Sequence, residues 1–516
     1  MRYRTIYFII IIILLKIVST VFIPVVPSID EAFQIQAGIR LSEGKGLTAS
    51  MDDLSLIRLK TEKDLSKNIY NYLTNWAPLE SLIIALLNLL GLFSLRSLGI
   101  IGLLFFALGI IGWYLCLKIL YPNKIMQLMC ICALFGVFYI ADGTSMFTWA
   151  IFSYISLIFL KIQNGEERNV YYFYLVMFSI ISIYFRYQAL AFSLSVPVLI
   201  LLLSKSKQKL LISLFSGLII IGSYIALNVF NRKMGIDLFS TMMFDFQKAD
   251  FTLLPKYLFF LIPMILSGKD LYGHVEISYS YYIIAFVINI LFLFILIHYK
   301  NKLKIILYVT IPVFIITFFL LFYSSVMLKD FMVLLNGRYW WFLTPLFFII
   351  LLKPIDSFLE SRIADKKIIK RVLNFTPALM LIAVISLSLL YNYKLHNYSK
   401  QYNENELLTS FLDAVVKKQQ FDPENLIIFT GMDDQKGLSS MLLIDNKYAT
   451  FRRLEILKDE KLYLSGNEKI LLMIEESTDL KKYLGKNMYY TLLDTKHGYK
   501  IYWIDFTEKK VFVTWK

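Results

Sequence analysis

VYYFYLVMFSIISIYFRYQALAFSLSVPVLILLL, residues 170–203, is a 34-residue apolar stretch with a single charge, Arg186, near its middle. A helix needs about 20 apolar residues to cross the roughly 30 Å hydrocarbon core of a bilayer. The stretch is therefore too long for one crossing, and a guanidinium inside hydrocarbon is costly. The sequence predicts two membrane helices that meet at the outer surface, with Arg186 at their junction.

The composition extends this conclusion to most of the chain. Of 516 residues, 58% are hydrophobic and 16% aromatic, and the mean hydropathy is +0.61, far above that of a soluble protein of this length. Apolar runs of membrane-spanning length recur from Ile6 to Tyr391, whereas the sequence after Leu395 has a soluble composition. We expect a polytopic α-helical membrane domain, residues 1–394, and a small α/β domain, residues 395–516.

Lysine and arginine residues in the short loops set the predicted orientation. Arg2 and Arg4 precede the first apolar run, and positively charged loops stay on the cytoplasmic side of a membrane. The first span, residues 6–26, then leads into an external loop, residues 28–78. Ten further spans are expected at residues 98–117, 125–140, 145–160, 170–185, 189–203, 210–230, 281–298, 303–327, 339–352 and 372–391.

Two other apolar stretches are short for a full crossing. Leu79–Phe93 and Leu253–Leu266 begin at prolines or external loops, which predicts interfacial or re-entrant segments. The expected total is eleven spans, or thirteen if both stretches cross. Either total leaves the N-terminus in the cytoplasm and the C-terminal domain outside it, in a bacterial inner membrane.

Charge, cysteine and glycine patterns exclude several function classes. The net charge of +15 comes from loops between apolar runs, without a basic helix or zinc-finger spacing, so no nucleic-acid partner is expected. The three cysteines lie inside apolar runs and are expected to be buried packing residues. Neither a Gly-x-Gly-x-x-Gly motif nor a P-loop occurs, which argues against direct use of a nucleotide.

The tail has an α/β pattern. Helices are predicted at residues 404–418 and near residues 437–443, with strands at residues 425–430 and 469–474. A hairpin is predicted from residues 489–494 and 499–505, which flank His497-Gly498.

Ser28-Ile29-Asp30-Glu31-Ala32-Phe33 is the most distinctive local motif, placed where the first span leaves the membrane and an amphipathic helix begins. A purely structural interpretation is open, because Ser28 and Glu31 form a capping box and Asp30 favours the helix dipole. The functional interpretation makes Asp30 a general base, with Glu31 beside it.

Asp142 is a second candidate acid, at the outer end of the predicted span at residues 125–140. It also suits the N-cap of the helix that follows. Two carboxylates in separate outer loops can share one site, as a base and as an acceptor-orienting or metal-holding group. We expect Asp30 and Asp142 to lie in one site. Whether that site holds a metal ion is left open.

Arg186 and Arg338 are candidate phosphate ligands. Both are expected at the outer face, Arg338 together with Tyr339 where another span opens. Snorkelling of Arg186 and an interfacial belt for the aromatic residues are the alternatives. Guanidinium groups bind a phosphodiester bidentately, so the pair suits a lipid-phosphate ligand.

Together these residues resemble the GT-C superfamily of polyprenyl-phosphate-sugar transferases, in its aminoarabinose transferase and protein O-mannosyltransferase branch. The likeness covers nearly the whole chain. The motifs that carry it are Asp30-Glu31-Ala32, Gln36-Ala37-Gly38, Glu43-Gly44-Lys45-Gly46, Trp76-Ala77-Pro78-Leu79, Asp142, Arg186-Tyr187 and Arg338-Tyr339.

One motif departs from the family pattern. The segment that closes the first external loop usually has a basic residue and two prolines, but here Trp76 and Ala77 leave only Pro78. Glu80 is the nearby polar group. The family role of that basic residue, in holding the carrier phosphate or the acceptor, therefore has no counterpart among these residues.

The resemblance implies an inverting glycosyltransferase with a polyprenyl-phosphate-linked donor and a lipid, glycan or protein acceptor, as in lipopolysaccharide biosynthesis. Asp30 would deprotonate the acceptor hydroxyl, Arg186 and Arg338 would stabilise the leaving phosphate, and Asp142 would orient the acceptor or hold a divalent metal ion. A transporter or flippase of lipid-linked glycans is the rival from another class. An O-antigen polymerase or ligase is the rival enzyme.

Overall fold

The contacts in the computed structural model divide the chain into two compact units. One, called here the helical unit, comprises Met1–Phe22 and Leu98–Asn392; the other, called the mixed unit, comprises Ile23–Ser97 and Tyr393–Lys516. The residues that the structure describes are 7, 9–11, 13–14, 29–52, 62–64, 71–72, 77–121, 126–128, 130–131, 143–233, 254–267, 279–328, 339–362, 407–431, 441, 444, 446–451, 461–464, 466–480, 488–506 and 512–514.

Helices dominate the described residues. In chain order they are α1 (Ile29–Ser42), α2 (Leu79–Leu89), α3 (Leu95–Leu120), α4 (Gly143–Gln163), α5 (Asn169–Phe185), α6 (Leu190–Leu203), α7 (Lys209–Lys233), α8 (Leu254–Ser267), α9 (Tyr279–Leu328) and α10 (Thr344–Arg362). Residues 407–419 are also helical. The predicted fold class, α-helical with a small sheet region, is confirmed at that level.

The lengths of these helices are consistent with membrane association. Four are long and apolar enough to cross a membrane, namely Ser97–Leu120, Met146–Gln163, Lys209–Val229 and Tyr279–Val326. Shorter apolar helices lie at Leu79–Leu89, Asn169–Phe185, Tyr187–Leu203 and Leu254–Leu266. The predicted total of eleven to thirteen spans is not confirmed, because the spans expected at residues 6–26, 125–140 and 372–391 lie largely outside the described residues.

The 50 helical residues of α9 are not one straight rod. The ring of Phe347 lies 5.0 Å from the ring of Phe292 and 6.0 Å from that of Phe314. The last two rings are thus at most about 11 Å apart, whereas a straight helix would separate those residues by about 33 Å. The chain therefore reverses direction between Phe292 and Phe314.

A hydrogen bond locates this reversal. Lys302 Nζ donates to Ser357 Oγ at 3.1 Å, near the C-terminal end of α10. Lys300 and Lys304 flank that position and are exposed. The two arms of α9 match the two spans predicted at residues 281–298 and 303–327, with the basic cluster at the turn between them.

Glycines let α3 approach α4 closely. A Cβ atom on Gly109 would lie 2.2 Å from the ring of Trp149, and one on Gly112 would lie 1.9 Å from Ser153 Oγ. Trp149 and Ser153 are both buried. Because membrane helices gain little from hydrophobic burial against each other, such close van der Waals packing by small residues is a principal source of their association.

We expect Gly112→Ala to destabilise the chain, because the added methyl group has no space beside Ser153. Overpacking of this kind typically costs about 1–3 kcal/mol. Gly102→Ala is the matched control on the same helix, since a Cβ atom there has nothing within 4 Å, and alanine favours a helix over glycine by about 1 kcal/mol. In thermal unfolding in detergent, only Gly112→Ala should have a Tm below that of wild type. Equal Tm values for the two variants would contradict the close packing of α3 against α4.

The mixed unit contains the described strands. They are β1 (Thr48–Ala49), β2 (Met51–Asp52), β3 (Glu62–Asp64), β4 (Asn71–Tyr72), β5 (Leu426–Thr430), β6 (Tyr448–Phe451), β7 (Lys461–Tyr463), β8 (Lys469–Glu475), β9 (Met488–Lys496), β10 (Tyr499–Phe506) and β11 (Phe512–Thr514). The main sheet has the order β2-β6-β5-β8-β10-β9; a smaller one has the order β11-β7-β3, and β1 pairs with β4. The main sheet is parallel from β2 to β8 and antiparallel from β8 to β9.

The tail prediction agrees with these elements. Strands β5 and β8 lie where they were predicted, and residues 407–419 match the predicted helix. The predicted hairpin is β9–β10, and His497 and Gly498 at its turn have φ values of 56° and 79°, as a two-residue hairpin of type I′ requires. The helix predicted near residues 437–443 lies mostly outside the described residues.

The first loop and the tail form one unit, unlike the division predicted at residue 394. β2 pairs in parallel with β6, through Met51 opposite Ala449 and Asp52 opposite Thr450. β3 likewise pairs with β7. The predicted loop, residues 28–78, therefore folds with the tail and not with the helical unit.

This pairing predicts that residues 48–52 and 448–451 lie on one side of the membrane. Fusions of alkaline phosphatase, which is active only outside the cytoplasm, should show activity after Tyr72 and after Tyr398. A fusion after Ser206, in a lysine-rich loop, is the control and should be inactive. Opposite results at Tyr72 and Tyr398 would be incompatible with the pairing of β2 and β6.

Candidate functional site

Arg186 breaks the long apolar stretch, as predicted. α5 ends at Phe185, Arg186 is extended with φ −157° and ψ 123°, and a 3-10 turn over Tyr187–Ala189 leads into α6. Ser193 Oγ donates to the carbonyl oxygen of Ser179 at 3.3 Å across the two helices. The helices form an antiparallel hairpin, and Arg186 lies at its apex.

A neighbouring side chain fixes the Arg186 guanidinium. Its Nε donates to Gln188 Oε1 at 2.7 Å, and both side chains are half-buried. The extended backbone at Arg186 thus separates two helices, while Gln188 in the 3-10 turn orients the charged group. A phosphate oxygen is a suitable ligand for a guanidinium held in this way.

The start of α4 lies against this apex. The ring of Phe147, in the second turn of α4, stacks on the ring of Phe185 at 3.7 Å. Asp142 immediately precedes α4 in sequence but lies outside the described residues. The structure therefore brings the helix that follows Asp142 next to the residue that precedes Arg186.

The turn before α10 joins the same region. Phe342, in the 3-10 turn Trp341–Leu343, lies 5.3 Å from Phe192 of α6 and 5.2 Å from Phe152 of α4. Tyr339 is half-buried just before this turn, and Arg338 lies outside the described residues. The start of α4, the Arg186 apex and the turn that follows Tyr339 thus converge at one end of the helical unit.

Asp30 and Glu31 belong to the mixed unit, in the first turn of α1. The apolar side chains of Ala32 and Ile35 are fully buried. The polar residues Gln34 and Gln36 are also buried, at 5% and 4% exposed. The prediction of an amphipathic helix with one polar face is therefore wrong. From Ala32 to Gly38 every residue of α1 is buried.

Buried hydrogen bonds hold α1 in place. Gln36 Nε2 donates to Ser50 Oγ at 2.9 Å, its Oε1 accepts from the Ser50 amide at 3.0 Å, and Ser50 Oγ donates to Asn446 Oδ1 at 2.8 Å. Arg40 Nε donates to Thr48 Oγ1 at 3.0 Å. This network fixes the helix that begins with Asp30 to both the first loop and the tail.

Gln34 is a residue that the sequence analysis missed. Its Oε1 is buried and accepts no hydrogen bond in the part of the chain that the structure describes. It lies four positions after Asp30 in α1. The sequence signal that could have identified Gln34 is its polar side chain one helical turn after Asp30.

Pro78 and Glu80 begin α2, which packs against α1. Pro78 is buried at the N-cap, and Glu80 in the first turn is 7% exposed; Trp76 lies outside the described residues. A Cβ atom on Gly38 of α1 would be 2.7 Å from Ile84 of α2. The helices are therefore in close contact.

α2 exposes an apolar face and buries two polar side chains among apolar ones. Its polar Glu80 and Ser81 are buried, whereas Leu82, Leu86 and Leu89 are 43%, 56% and 68% exposed. Eleven helical residues rise only about 16 Å, too little to cross a bilayer. The length and the leucine face fit the predicted interfacial position.

The metal site stays a prediction, whereas the burial predicted for the cysteines is observed for two of them. No group of three or more His, Cys, Asp or Glu residues that could hold a metal lies within the described residues, so the metal stays an open question at Asp30 and Asp142. Cys116 and Cys130 are buried and form no disulfide, as predicted for packing residues. Cys132 lies outside the described residues.

No model of a known protein family matches this chain, and no curated protein is detectably similar to it in sequence. The geometry of the site therefore carries the functional argument.

Glu167 fixes the other end of the α5–α6 hairpin. Its carboxylate accepts hydrogen bonds from the Tyr172 hydroxyl, from Ser204 Oγ at 2.5 Å and from the Lys205 amide at 3.0 Å. Burial raises the pKa of this carboxyl, but the hydrogen bonds outweigh burial and the pKa of Glu167 is lowered from 4.5. These bonds stabilise the ionised form.

We therefore expect the stabilising effect of Glu167 to depend on pH. Because its folded-state pKa is lowered, the effect is fully present above pH 4.5 and is lost as the pH falls through the folded-state pKa. Glu167→Gln should lower the Tm at neutral pH and converge with wild type in acid. Glu166→Gln, at the exposed neighbouring residue, is the control; a pH-independent difference at Glu167 would contradict this assignment.

Proposed function

We propose that this chain is an integral membrane glycosyltransferase that moves a sugar from a polyprenyl-phosphate donor to a lipid, glycan or protein acceptor. It would act at the outer face of a bacterial inner membrane. The observation that carries the proposal is the convergence of α4, the Arg186 apex and the turn before α10. Three elements distant in sequence thereby meet at one end of the helical unit, where Arg186 supplies a cation.

Basic loops support the assignment of that end to the outer face. Lys205, Lys207 and Lys209 lie at the end of the α5–α6 hairpin opposite Arg186. Lys302 bonds Ser357, thirteen residues after the start of α10 at Thr344, and so lies far from the Tyr339 end. The positive-inside rule places both lysine clusters in the cytoplasm, and the Arg186 end then faces outward.

Arginine at the apex suits a lipid-phosphate donor. The carrier lipid stays in hydrocarbon while its phosphate lies at the membrane boundary, where Arg186 ends one membrane helix and precedes another. Guanidinium binds phosphate oxygens in pairs and keeps its charge at any physiological pH. In our proposal Arg186 and Arg338, with Tyr339, hold the donor phosphate.

The proposed reaction is a direct displacement with inversion. Asp30 takes the proton of the acceptor hydroxyl, whose oxygen attacks the anomeric carbon. The bond from that carbon to the phosphate oxygen breaks, and the carrier leaves as a lipid phosphate whose new negative charge the arginines stabilise. Asp142 orients the acceptor or, if a divalent metal ion takes part, holds that ion.

The fixed position of α1 supports the role given to Asp30. A general base must be held near the proton that it removes, because small displacements reduce the rate strongly. Gln36 and Arg40 anchor α1 through buried hydrogen bonds, and Gly38 places it directly against α2. Trp76, Pro78 and Glu80, at the start of α2, are assigned to the acceptor side on the resemblance alone.

A transporter of lipid-linked glycans is the main alternative, since ionisable residues inside a membrane often mark a transport path. α10 contains such a pair: Lys353 Nζ lies 2.6 Å from Asp356 Oδ2, and both side chains are buried. Lys353 also lies 5.0 Å from the ring of Tyr121. Asp356 adjoins Ser357, however, which bonds Lys302 of the basic cluster, and the pair follows the span predicted at residues 339–352, which favours an anchoring role.

The product distinguishes the remaining alternatives. Mass spectrometry of envelope glycolipids and glycoproteins, with and without the gene for this chain, should show one sugar missing from one acceptor class. A polymerase or ligase would instead leave unpolymerised or unattached glycan blocks. A flippase would leave the acceptor unmodified and the lipid-linked donor trapped on the cytoplasmic side.

Asp30→Asn should abolish transfer while leaving folding and donor binding nearly intact, because an amide cannot accept the proton. Glu31→Gln should do less, since glutamine also serves in a capping box. Arg338→Ala should weaken donor use as well as turnover, because the phosphate is held before reaction and gains charge during it. Turnover of a lipid-phosphate sugar in detergent, with thermal unfolding alongside, measures all three. If Asp30→Asn retains more than about a tenth of the wild-type rate, a loss below about 1.4 kcal/mol, Asp30 is not the base.

A further inference from the structure

The end of the α5–α6 hairpin opposite Arg186 has no function in the proposed mechanism. Two loops meet there, one before α5 and the other between α6 and α7. Glu167 holds them together through its hydrogen bonds to Ser204 Oγ and to the Lys205 amide. α5 and α7 contact each other, and both begin at this end. The two loops and the adjoining helix ends therefore form one defined surface.

This surface is strongly basic. Its charged side chains are Lys161, Arg168, Lys205, Lys207, Lys209, Glu166 and Glu167. Five cations and two carboxylates give a net charge of +3, and we name the five cations the basic patch. Lys205 Nζ lies 4.0 Å from the position of a Cβ atom on Gly165, and so reaches the turn before α5. Lys161 lies over the ring of Tyr171 in the first turn of α5, at 5.9 Å.

The charge of the basic patch is not neutralised by carboxylates. None of its five cations forms an ion pair within the part of the chain that the structure describes. The helix dipoles add to this imbalance, because Arg168 is the N-cap of α5 and Lys209 is the first residue of α7. The positive end of a helix favours an anion and disfavours a cation. A bound anion would therefore be stabilised by the side chains and by both helices.

Exposed apolar side chains border the basic patch. Val170 and Phe173 are exposed in the first turns of α5. Leu210, Leu211 and Leu214, in the first turns of α7, are each more than half exposed. α7 is also long and apolar enough to cross a membrane, so these leucines suit contact with acyl chains. The basic patch then lies at the level of the phospholipid headgroups, where basic pockets between membrane helices bind anionic lipids.

We propose that the basic patch binds an anionic phospholipid with two phosphate groups, of the cardiolipin type. Its acyl chains lie against Leu210, Leu211 and Leu214, and its phosphates lie between the two loops. Two phosphates offset more of the net positive charge than the headgroup of a zwitterionic lipid. This inference is independent of the glycosyltransferase proposal, because it uses no residue assigned to that site and concerns the opposite end of the hairpin.

Titration of the full-length chain with cardiolipin in detergent, followed by native mass spectrometry, measures the Kd of the first bound lipid. Lys205→Gln combined with Lys207→Gln should weaken binding about 30-fold, because each lysine near an anionic headgroup contributes about fivefold. Lys205→Arg combined with Lys207→Arg keeps both charges and should bind like wild type. Lys300→Gln combined with Lys304→Gln removes two exposed lysines at the reversal of α9. This variant is the control for total charge and should also bind like wild type.

Two further ligands separate a lipid site from a general phosphate site. Phosphatidylcholine, which is zwitterionic, should bind wild type more weakly than cardiolipin and should not distinguish the variants. Inorganic phosphate in excess should not displace cardiolipin, because it has no acyl chains to contact α7. If thermal unfolding shows that the double glutamine variant is not folded, Lys207→Gln alone should still weaken binding about fivefold.

Three results would overturn the proposal. The first is equal affinity of wild type and the folded glutamine variant at Lys205 and Lys207 for cardiolipin. The second is an equal loss of affinity in the control variant at Lys300 and Lys304, which would assign the effect to total charge. The third is displacement of cardiolipin by inorganic phosphate, or equally tight binding of phosphatidylcholine.

Discussion

The parallel pairing of β2 with β6 constrains the rest of the chain. Ser50 and Asn446, 396 positions apart, share a hydrogen bond beside it, and such contacts cannot form across a bilayer. Any membrane crossings between Leu98 and Asn392 must therefore be even in number. The ten spans predicted in that segment satisfy this condition. α8, at 14 residues, cannot be added as a full crossing unless another is added or removed.

The sequence predicted those features that have a strong local pattern. A single arginine in a 34-residue apolar stretch predicted the break between α5 and α6. Three lysines between two apolar runs predicted the reversal in α9. The strand patterns on both sides of His497-Gly498 predicted the hairpin. The union of the first loop with the tail was not predictable, because β2 and β3 have two and three residues. Strands this short have no periodicity, and tertiary pairing alone defines them.

The candidate site was predictable only in part, for a similar reason. Arg186 stood out because a charge interrupts an apolar background. Gln36 was hidden because burial of its side chain depends on Ser50, which in turn bonds Asn446, far away in sequence. An amphipathic interpretation of α1 rested on the rule that polar residues face water, which fails when a buried amide finds hydrogen-bond partners. Residues that hold a site in place are thus harder to infer than residues that carry its charge.

The pairing of strands from the first loop with strands from the tail also limits when the mixed unit can fold during synthesis. Met51 and Asp52 are synthesised early, but their partners in β6 follow almost 400 residues later. At about 5–20 residues per second, this delay is about 20–80 s. During that time the edges that will become β2 and β3 have no strand to join, and α1 lacks the Asn446 end of its hydrogen-bond network. The sheets that join the first loop to the tail can therefore form only after the whole chain has been synthesised.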